Sequence, residues 1–341
     1  MAVVKADAYG HGAIEVTRSL LRHGISRFAV VSVDEGLTLR QAGITAPIVV
    51  LGPLFPEQIS ELCAHQLTPV VSEPGILPIL SKSASSLNTA YPIHIKVETG
   101  MGRLGLRPRD VESLIHTIPL RGPLQLEGMM THLADTDGAS EDATEEQLAA
   151  FRRVLAQVEQ GGWRIPLVHA TNSAGLIRFP HSHFSLVRPG IMLYGYHTLP
   201  ESVPAPTLQP VLSLRSTIAH LRTVEPGGTV SYNRTFVAKR RSRIAVLPIG
   251  YADGYSRRLS NRGLVLIQGR RAPVVGLVCM DMVMVDVTEV PGTHVGDEVI
   301  LIGRQGPETI WADELAEWTD TIPYEILCAI GPRVPRVYHT V

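Results

Sequence analysis

The sequence predicts an α/β fold: a (β/α)8, TIM-type barrel over residues 1–205, followed by a mainly-β C-terminal domain over residues 206–341. Three observations predict it. In the first two-thirds of the chain, short continuous apolar runs alternate with amphipathic stretches of helical period, as in a parallel sheet buried on both faces. Eight such runs occur, the strand number of a closed barrel. Beyond residue 205, strand-like runs follow one another across Gly, Pro and Asp turns without helices between them.

The apolar runs lie at residues 2–4, 28–32, 48–51, 69–72, 93–97, 126–131, 167–170 and 184–187. Helical patterns at 13–23, 57–65, 109–116 and 145–159 separate most of them. Residues 190–199 are too few and too broken for a closing helix, and the proline-rich stretch 200–210 reads as a linker. After it, strands are expected at 212–221, 229–237, 244–249, 264–267, 282–287 and 299–302, then helices at 312–318 and 324–329.

At 341 residues, with 45% hydrophobic and 18% charged residues, the chain has enough apolar material for a sizeable core. A formal net charge of −1 gives no electrostatic reason to bind nucleic acid or an anionic membrane. No apolar run is long enough to span a bilayer, and no segment resembles a signal peptide. Cys63, Cys279 and Cys328 are too widely spaced for a disulfide framework and fit a reducing cytoplasm. Without Cys-x-x-Cys or His-x-x-x-His spacing, no metal site is expected.

A barrel carries its active site at the C-terminal ends of its strands, where Lys5, Lys96, His132, Asn172, Ser173 and Arg188 fall. Lys5 ends the run Ala2-Val3-Val4 and leads into Ala6-Asp7-Ala8-Tyr9-Gly10-His11-Gly12. Burial at a strand end disfavours the ammonium form, and a neutral amine can form a Schiff base with an aldehyde. The following turn opens a helix whose N-terminal N–H groups suit a phosphate. Lysine and anion cradle together point to pyridoxal 5'-phosphate. On these residues alone, a surface lysine beginning a strand is an equal reading.

The run from Val3 to Gly12 resembles the cofactor-lysine signature of the bacterial alanine racemases, Val-Val-Lys-Ala-Asn-Ala-Tyr-Gly-His-Gly, with Asp7 where many members have Asn. Matching segments continue in order through Lys96-Val97-Glu98-Thr99-Gly100-Met101-Gly102-Arg103, Thr131-His132, Thr171-Asn172-Ser173-Ala174 and Arg188-Pro189-Gly190-Ile191. They extend through Val230-Ser231-Tyr232, Gly250-Tyr251-Ala252-Asp253-Gly254-Tyr255, Cys279-Met280-Asp281, Pro323-Tyr324-Glu325 and Arg333-Val334-Pro335-Arg336. The resemblance therefore covers nearly the whole chain.

It implies a fold type III pyridoxal phosphate enzyme that interconverts L-alanine and D-alanine by two-base proton transfer, supplying D-alanine for peptidoglycan. Each acid–base group is worth about 10² to 10⁴ in rate. Lys5 serves one face of the substrate. Tyr232, on its own a half-buried strand tyrosine, serves the other from the partner subunit of a homodimer. A tyrosine base, with an ordinary pKa of about 10, needs cations or donors nearby. Arg103 is implied beside the cofactor phenolic oxygen and the substrate carboxylate, where its planar fork suits both. Lys96 matches a lysine that is carbamylated in many members; an unmodified buried lysine is the other reading.

Arg188 is implied opposite the pyridine nitrogen, with His169 behind it and His132 near the ring; each histidine alone reads as a satisfied core residue. Tyr9, Ser173, Tyr324 and the backbone N–H groups of Gly190 and Ile191 match phosphate-binding positions, and Asn172 is a further cofactor-binding position. Met280 matches a partner-subunit contact to the substrate carboxylate, with Asp281 behind it. Tyr251 and Tyr324 narrow the entrance toward small side chains. Cys279 lacks the His/Asn company of a nucleophile.

Alternatives are a racemase of broader specificity acting on serine or other amino acids, a decarboxylase on the same barrel, a pyridoxal phosphate carrier, and an inactive truncated relative. The decarboxylase lacks reason for Tyr232 and Arg188, and a carrier lacks reason for residues 211–341. Members of the resembled family usually carry a further N-terminal segment with a helix. The expectation for this chain is a truncated or misassigned start at Met1 that leaves one side of the barrel uncovered.

Overall fold

The computed structural model describes residues 1–87, 89–119, 122–200 and 202–339; residue 201 of the expected linker and residues 340–341 of the expected C-terminal domain lie outside them. The described residues fall into two compact units. One comprises Met1–Ala8, Gly12–Leu193 and His197–Leu208; the other comprises Tyr9–His11, Tyr194–Tyr196 and the chain from Gln209 onward. Residues 9–11, read from sequence as part of the barrel, thus belong to the second unit.

The first unit is a parallel sheet of seven strands in sequential order: β1 (Ala2–Val3), β2 (Phe28–Val30), β3 (Ile48–Val50), β4 (Thr68–Val71), β5 (Tyr91–Lys96), β6 (Leu124–Met130) and β7 (Leu167–His169). Helices α1 (Ala13–Arg22), α2 (Val33–Gln41), α3 (Ile59–Ala64), α4 (Leu77–Ala84), α5 (Pro108–Ile115), α6 (Asp142–Gln160) and α7 (Ser173–Arg178) follow the strands in turn. The strands are short but inaccessible on both faces: Ile48, Val49 and Val50 are each 0% exposed. That double burial is why their sequences run apolar without alternation.

The eighth strand expected at 184–187 is not a strand. Phe184 turns with a positive φ of 48°, and Pro189 has no N–H for a ladder. Residues 186–189 nevertheless fill the gap between β7 and β1. Leu186 N–H donates to Val168 O at 3.1 Å and Arg188 N–H to Thr171 O at 3.2 Å, while Pro189 O accepts from Val3 N–H at 3.0 Å. The hydrogen-bonded ring closes through an irregular segment, in a (β/α)8-type barrel.

The second unit is mainly antiparallel sheet. β8 (Leu214–Thr217), β9 (His220–Val224), β10 (Thr229–Val230), β11 (Phe236–Val237), β12 (Ser242–Leu247), β13 (Leu264–Ile267), β14 (Arg270–Pro273), β15 (Val283–Asp286), β16 (Glu298–Gln305) and β17 (Glu308–Ile310) precede α8 (Ala312–Thr319) and α9 (Pro323–Cys328). One sheet runs β15-β12-β9; another runs β14-β13-β16-β17, with β8 also pairing β16. The run 212–221 divides into β8 and β9, and 229–237 divides into β10 and β11 around a turn. β14 and β17, rich in Arg, Glu and Pro, carry no apolar run that marks them in the sequence.

Interior packing of the barrel is tight at Gly128, where an added Cβ lies 2.6 Å from the buried His94 ring. Gly128→Ala is therefore expected to destabilise the fold by about 1–3 kcal/mol, seen as a lower midpoint of thermal unfolding by circular dichroism.

Candidate functional site

Lys5 follows β1 and is half-buried. The next four residues, Ala6 to Tyr9, all have positive φ between 51° and 55°, a left-handed turn built without glycine. Two carboxylates hold its ends. Glu35 accepts from Ala6 N–H and Val31 N–H, each at 2.7 Å, tying the loop after β1 to that after β2. Glu35 also forms a capping box with Ser32 at the start of α2.

Asp7 Oδ1 accepts from Ala13 N–H at 2.7 Å, and Asp7 O accepts from Gly12 N–H. A carboxylate thus takes one orphan donor at the N-terminus of α1, where negative charge suits the helix dipole. At the turn where the sequence suggests an anion cradle beside Lys5, the Asp7 carboxylate already takes one of the helix N–H groups.

Beyond β7 a hydroxyl and two backbone amides of the first unit come together. Ser173 begins α7, and its Oγ accepts from Gly190 N–H at 2.9 Å and Met192 N–H at 3.4 Å, bringing Ser173, Gly190 and the turn at Ile191 together. Asn172, expected from the sequence at the cofactor, holds local structure. Its Oδ1 caps α7 through Gly175 N–H at 2.9 Å and accepts from Thr136 Oγ1 at 3.0 Å. It positions the helix that carries Ser173.

Arg188 is 3% exposed, and burial pushes its guanidinium down to about 9, still fully charged at neutral pH. It donates to Thr131 O at 3.0 Å, Ala170 O at 2.8 Å, His169 Nδ1 at 2.9 Å and His132 Nδ1 at 3.2 Å. Burial, and then Arg188, hold both histidines well below the usual imidazole range. They are therefore neutral acceptors of a permanent donor.

Lys96 ends β5 at 4% exposure. Burial lowers its ammonium to about 8, with Arg103, Arg188 and Lys5 adding like charge and Glu98 opposing them. Burial alone would raise Glu98, but the backbone N–H groups of Gly102, Gly100, Arg103 and Met101 hold it below its ordinary value. That carboxylate folds the loop carrying the exposed Arg103, with Gly100 N–H at 2.6 Å and Arg103 N–H at 3.2 Å. Gln147 of α6, 4% exposed, clamps the same rim through Thr99 Oγ1 and His132 O, each at 3.2 Å. The sequence reading missed the roles of Glu35, Glu98 and Gln147; the Ser-x-x-Glu spacing of Ser32 and Glu35 was a capping-box signal that could have found one of them.

In the second unit, Tyr9 stacks on Tyr194 and Tyr324, with ring centroids 4.9 and 5.8 Å away. Tyr232 is 69% exposed at the tip between β10 and β11. Ser231, Asn233 and Arg234 around it all have positive φ. Ser231 Oγ donates to Leu277 O at 2.7 Å, and Gly276 is required there, since a Cβ would lie 2.5 Å from that of Ser231. The hairpin rests on buried Val224, Val230, Ala238, Ile244 and Val275.

Tyr251 N–H donates to Cys279 O at 3.1 Å, and Ala252 N–H to Met280 O at 3.0 Å, joining the Tyr251 and Met280 loops. Arg333 ties them again, reaching Asp281 at 2.8 Å and Asp253 at 3.2 Å. Tyr251 and Met280, like Tyr232, are exposed, at 43% and 53%. Cys279 Sγ lies 3.7 Å from Ser231 Oγ and 3.5 Å from Leu277 O, a packed thiol.

A parallel barrel whose rim gathers a strand-end lysine, a cluster of cations and a serine held by backbone amides has the layout of a barrel enzyme. The family model for the alanine racemase N-terminal domain matches residues 1–198, and that for the alanine racemase C-terminal domain matches residues 211–338. The chain belongs to the alanine racemase family, whose members are isomerases.

An alanine racemase of Halothermothrix orenii is 46% identical over 338 residues, covering 99% of this chain and 89% of its own length. The Bacillus anthracis alanine racemase with bound L-Ala-P is similar at TM-score 0.90 and 38% identity, covering 99% of this chain and 88% of that one. The Bartonella henselae alanine racemase with covalently bound pyridoxal phosphate has a TM-score of 0.88 and 32% identity, covering 99% and 92%.

The depressed Lys96 gives a pH signature with a definite sign. Between about 8 and 10.5 the folded chain has released a proton that an unfolded lysine still holds. The unfolded state binds more protons in that window, so stability rises with pH across it. Wild-type protein is expected to gain about 1–3 kcal/mol relative to Lys96→Met over the window, measured by urea unfolding at each pH.

Proposed function

We propose that the chain interconverts L-alanine and D-alanine with pyridoxal 5'-phosphate as cofactor, as a homodimer in which each copy supplies Tyr232 to its partner's barrel. The observation that carries this is the charge of the rim. Lys5, Lys96, Arg103 and Arg188 stand close enough to depress Lys96, while the nearby Glu98 is already engaged by backbone N–H groups. An anionic cofactor and a carboxylate substrate relieve that repulsion. The donor types also fit: a primary amine for an aldehyde, a hydroxyl and amides for a phosphate, a guanidinium for a ring nitrogen.

Ser173, Gly190 and Ile191 would hold the phosphate, with Tyr9 and Tyr324 as further hydroxyl donors. Arg188 would hold the ring nitrogen as a fixed cation, backed by His169 and flanked by His132. When bound, the cofactor supplies the electron sink that makes the substrate α-proton acidic. Lys5 Nζ takes or returns that proton on one face, and Tyr232 Oη of the partner copy does so on the other. Arg103 orients the carboxylate, with the Met280 backbone of the partner copy as a second contact and Asp281 fixing that loop. Tyr251 and Tyr324 limit side-chain size.

An exposed tyrosine on a tightly specified hairpin supports the shared site, because a solvent-facing phenol gains acid–base use when another surface covers it. Among the described residues no helix is long and apolar enough to cross a membrane. The cytoplasm and the supply of D-alanine to peptidoglycan are the setting we propose.

Solvent deuterium exchange at the α-carbon, followed with each alanine enantiomer and chiral separation, tests the reading; exchange accompanied by inversion is expected. Lys5→Ala should lose both racemisation and the visible cofactor band. Tyr232→Phe should slow exchange from one enantiomer more than from the other, and equal slowing of both would count against two opposed bases.

A further inference from the structure

Arg188 is the upper end of a buried chain that crosses the barrel. His169, whose Nδ1 accepts from Arg188, lies with Nε2 2.9 Å from Nδ1 of His94. His94 Nε2 lies 3.2 Å from Glu127 Oε2, and Glu127 Oε1 meets Arg27 at 3.1 Å. Both histidines are 0% exposed; Glu127 and Arg27 are partly exposed and line a cavity of about 430 Å³ with Thr68 and Tyr91.

The direction of every bond in this chain is fixed by its two ends. A guanidinium can only donate, so His169 carries its proton on Nε2 and donates to His94 Nδ1. His94 then carries its proton on Nε2 and donates to an ionised carboxylate, which can only accept. Arg188 and Glu127 thus impose the same order on two neutral imidazoles. Among the described residues no carboxylate pairs with Arg188 directly; Glu127 faces it through the two rings.

We propose that Glu127 is a positioning residue for Arg188, acting through His94 and His169 to keep the Arg188-facing nitrogen of His169 an acceptor. Without an acceptor at position 127, His94 is free to move its proton to Nδ1. That places two donors nose to nose and turns His169 against Arg188. The proposal rests on the alanine racemase reading for its effect on rate, but not for the proton order itself.

The test uses the full chain loaded with pyridoxal 5'-phosphate and labelled with ¹⁵N-histidine. Long-range ¹H–¹⁵N correlation reads the tautomers, alongside the visible cofactor band, kcat and KM. Wild type should show Nε2–H at both His94 and His169. Glu127→Gln, whose amide oxygen still accepts, should preserve that order, the band and most of kcat. Glu127→Leu should mix the His169 tautomers, shift the band and lower kcat about tenfold with little change in KM. Arg27→Met should leave the tautomers unchanged.

Unmixed Nε2–H tautomers in Glu127→Leu overturn the proposal, as does an unshifted band. Equal losses in the Gln and Leu variants overturn it too, since they would indicate bulk packing rather than an acceptor. A wild-type chain that carries the proton order but does not racemise alanine overturns the functional reading alone.

Discussion

A guanidinium buried in a barrel must find an acceptor for each donor, and Arg188 organises the first unit through that requirement. Its acceptors come from the ends of β6 and β7: the Thr131 and Ala170 carbonyls and the two histidine nitrogens. Leaving a buried charge unpaired is far more costly than leaving a neutral group so. The irregular segment that carries Arg188 is therefore held in place although it lacks the regular ladder of a strand. The same side chain ties the closing segment to the ends of β6 and β7 and makes Nδ1 of both His132 and His169 an acceptor.

Periodicity made much of this legible. The seven strands and four of the seven helices follow from runs whose burial leaves no other pattern, and Lys5, Lys96, Ser173 and Arg188 stood out because a parallel barrel gathers strand ends. What periodicity missed follows from physics acting across the chain. Phe184 and Pro189 break a ladder that the apolar run 184–187 appeared to offer. Asp7 stands where many members of the resembled family have Asn, and its carboxylate takes an N–H of the helix terminus suited to phosphate. His94 and Glu127 became partners only when strand register set one ring against the next. No spacing within a single strand announces that.

The second unit applies a different constraint. Tyr232 is presented by residues with positive φ, tied down by Ser231 and admitted by a glycine across the gap. Backbone strain of this kind persists only where surrounding structure over-determines it. A hairpin that merely covered a core would have little need of it.

The left-handed turn after Lys5 carries a consequence for the order of folding. Such a conformation is disfavoured by roughly 1–2 kcal/mol per residue, so residues 6–9 cannot nucleate locally. They reach their native angles only when Glu35 and the start of α1 are already in place to hold them. The segment following Lys5 is therefore set late, after the scaffold exists. Under the proposed function, a nascent or partly folded chain would then display no positioned amine to stray aldehydes.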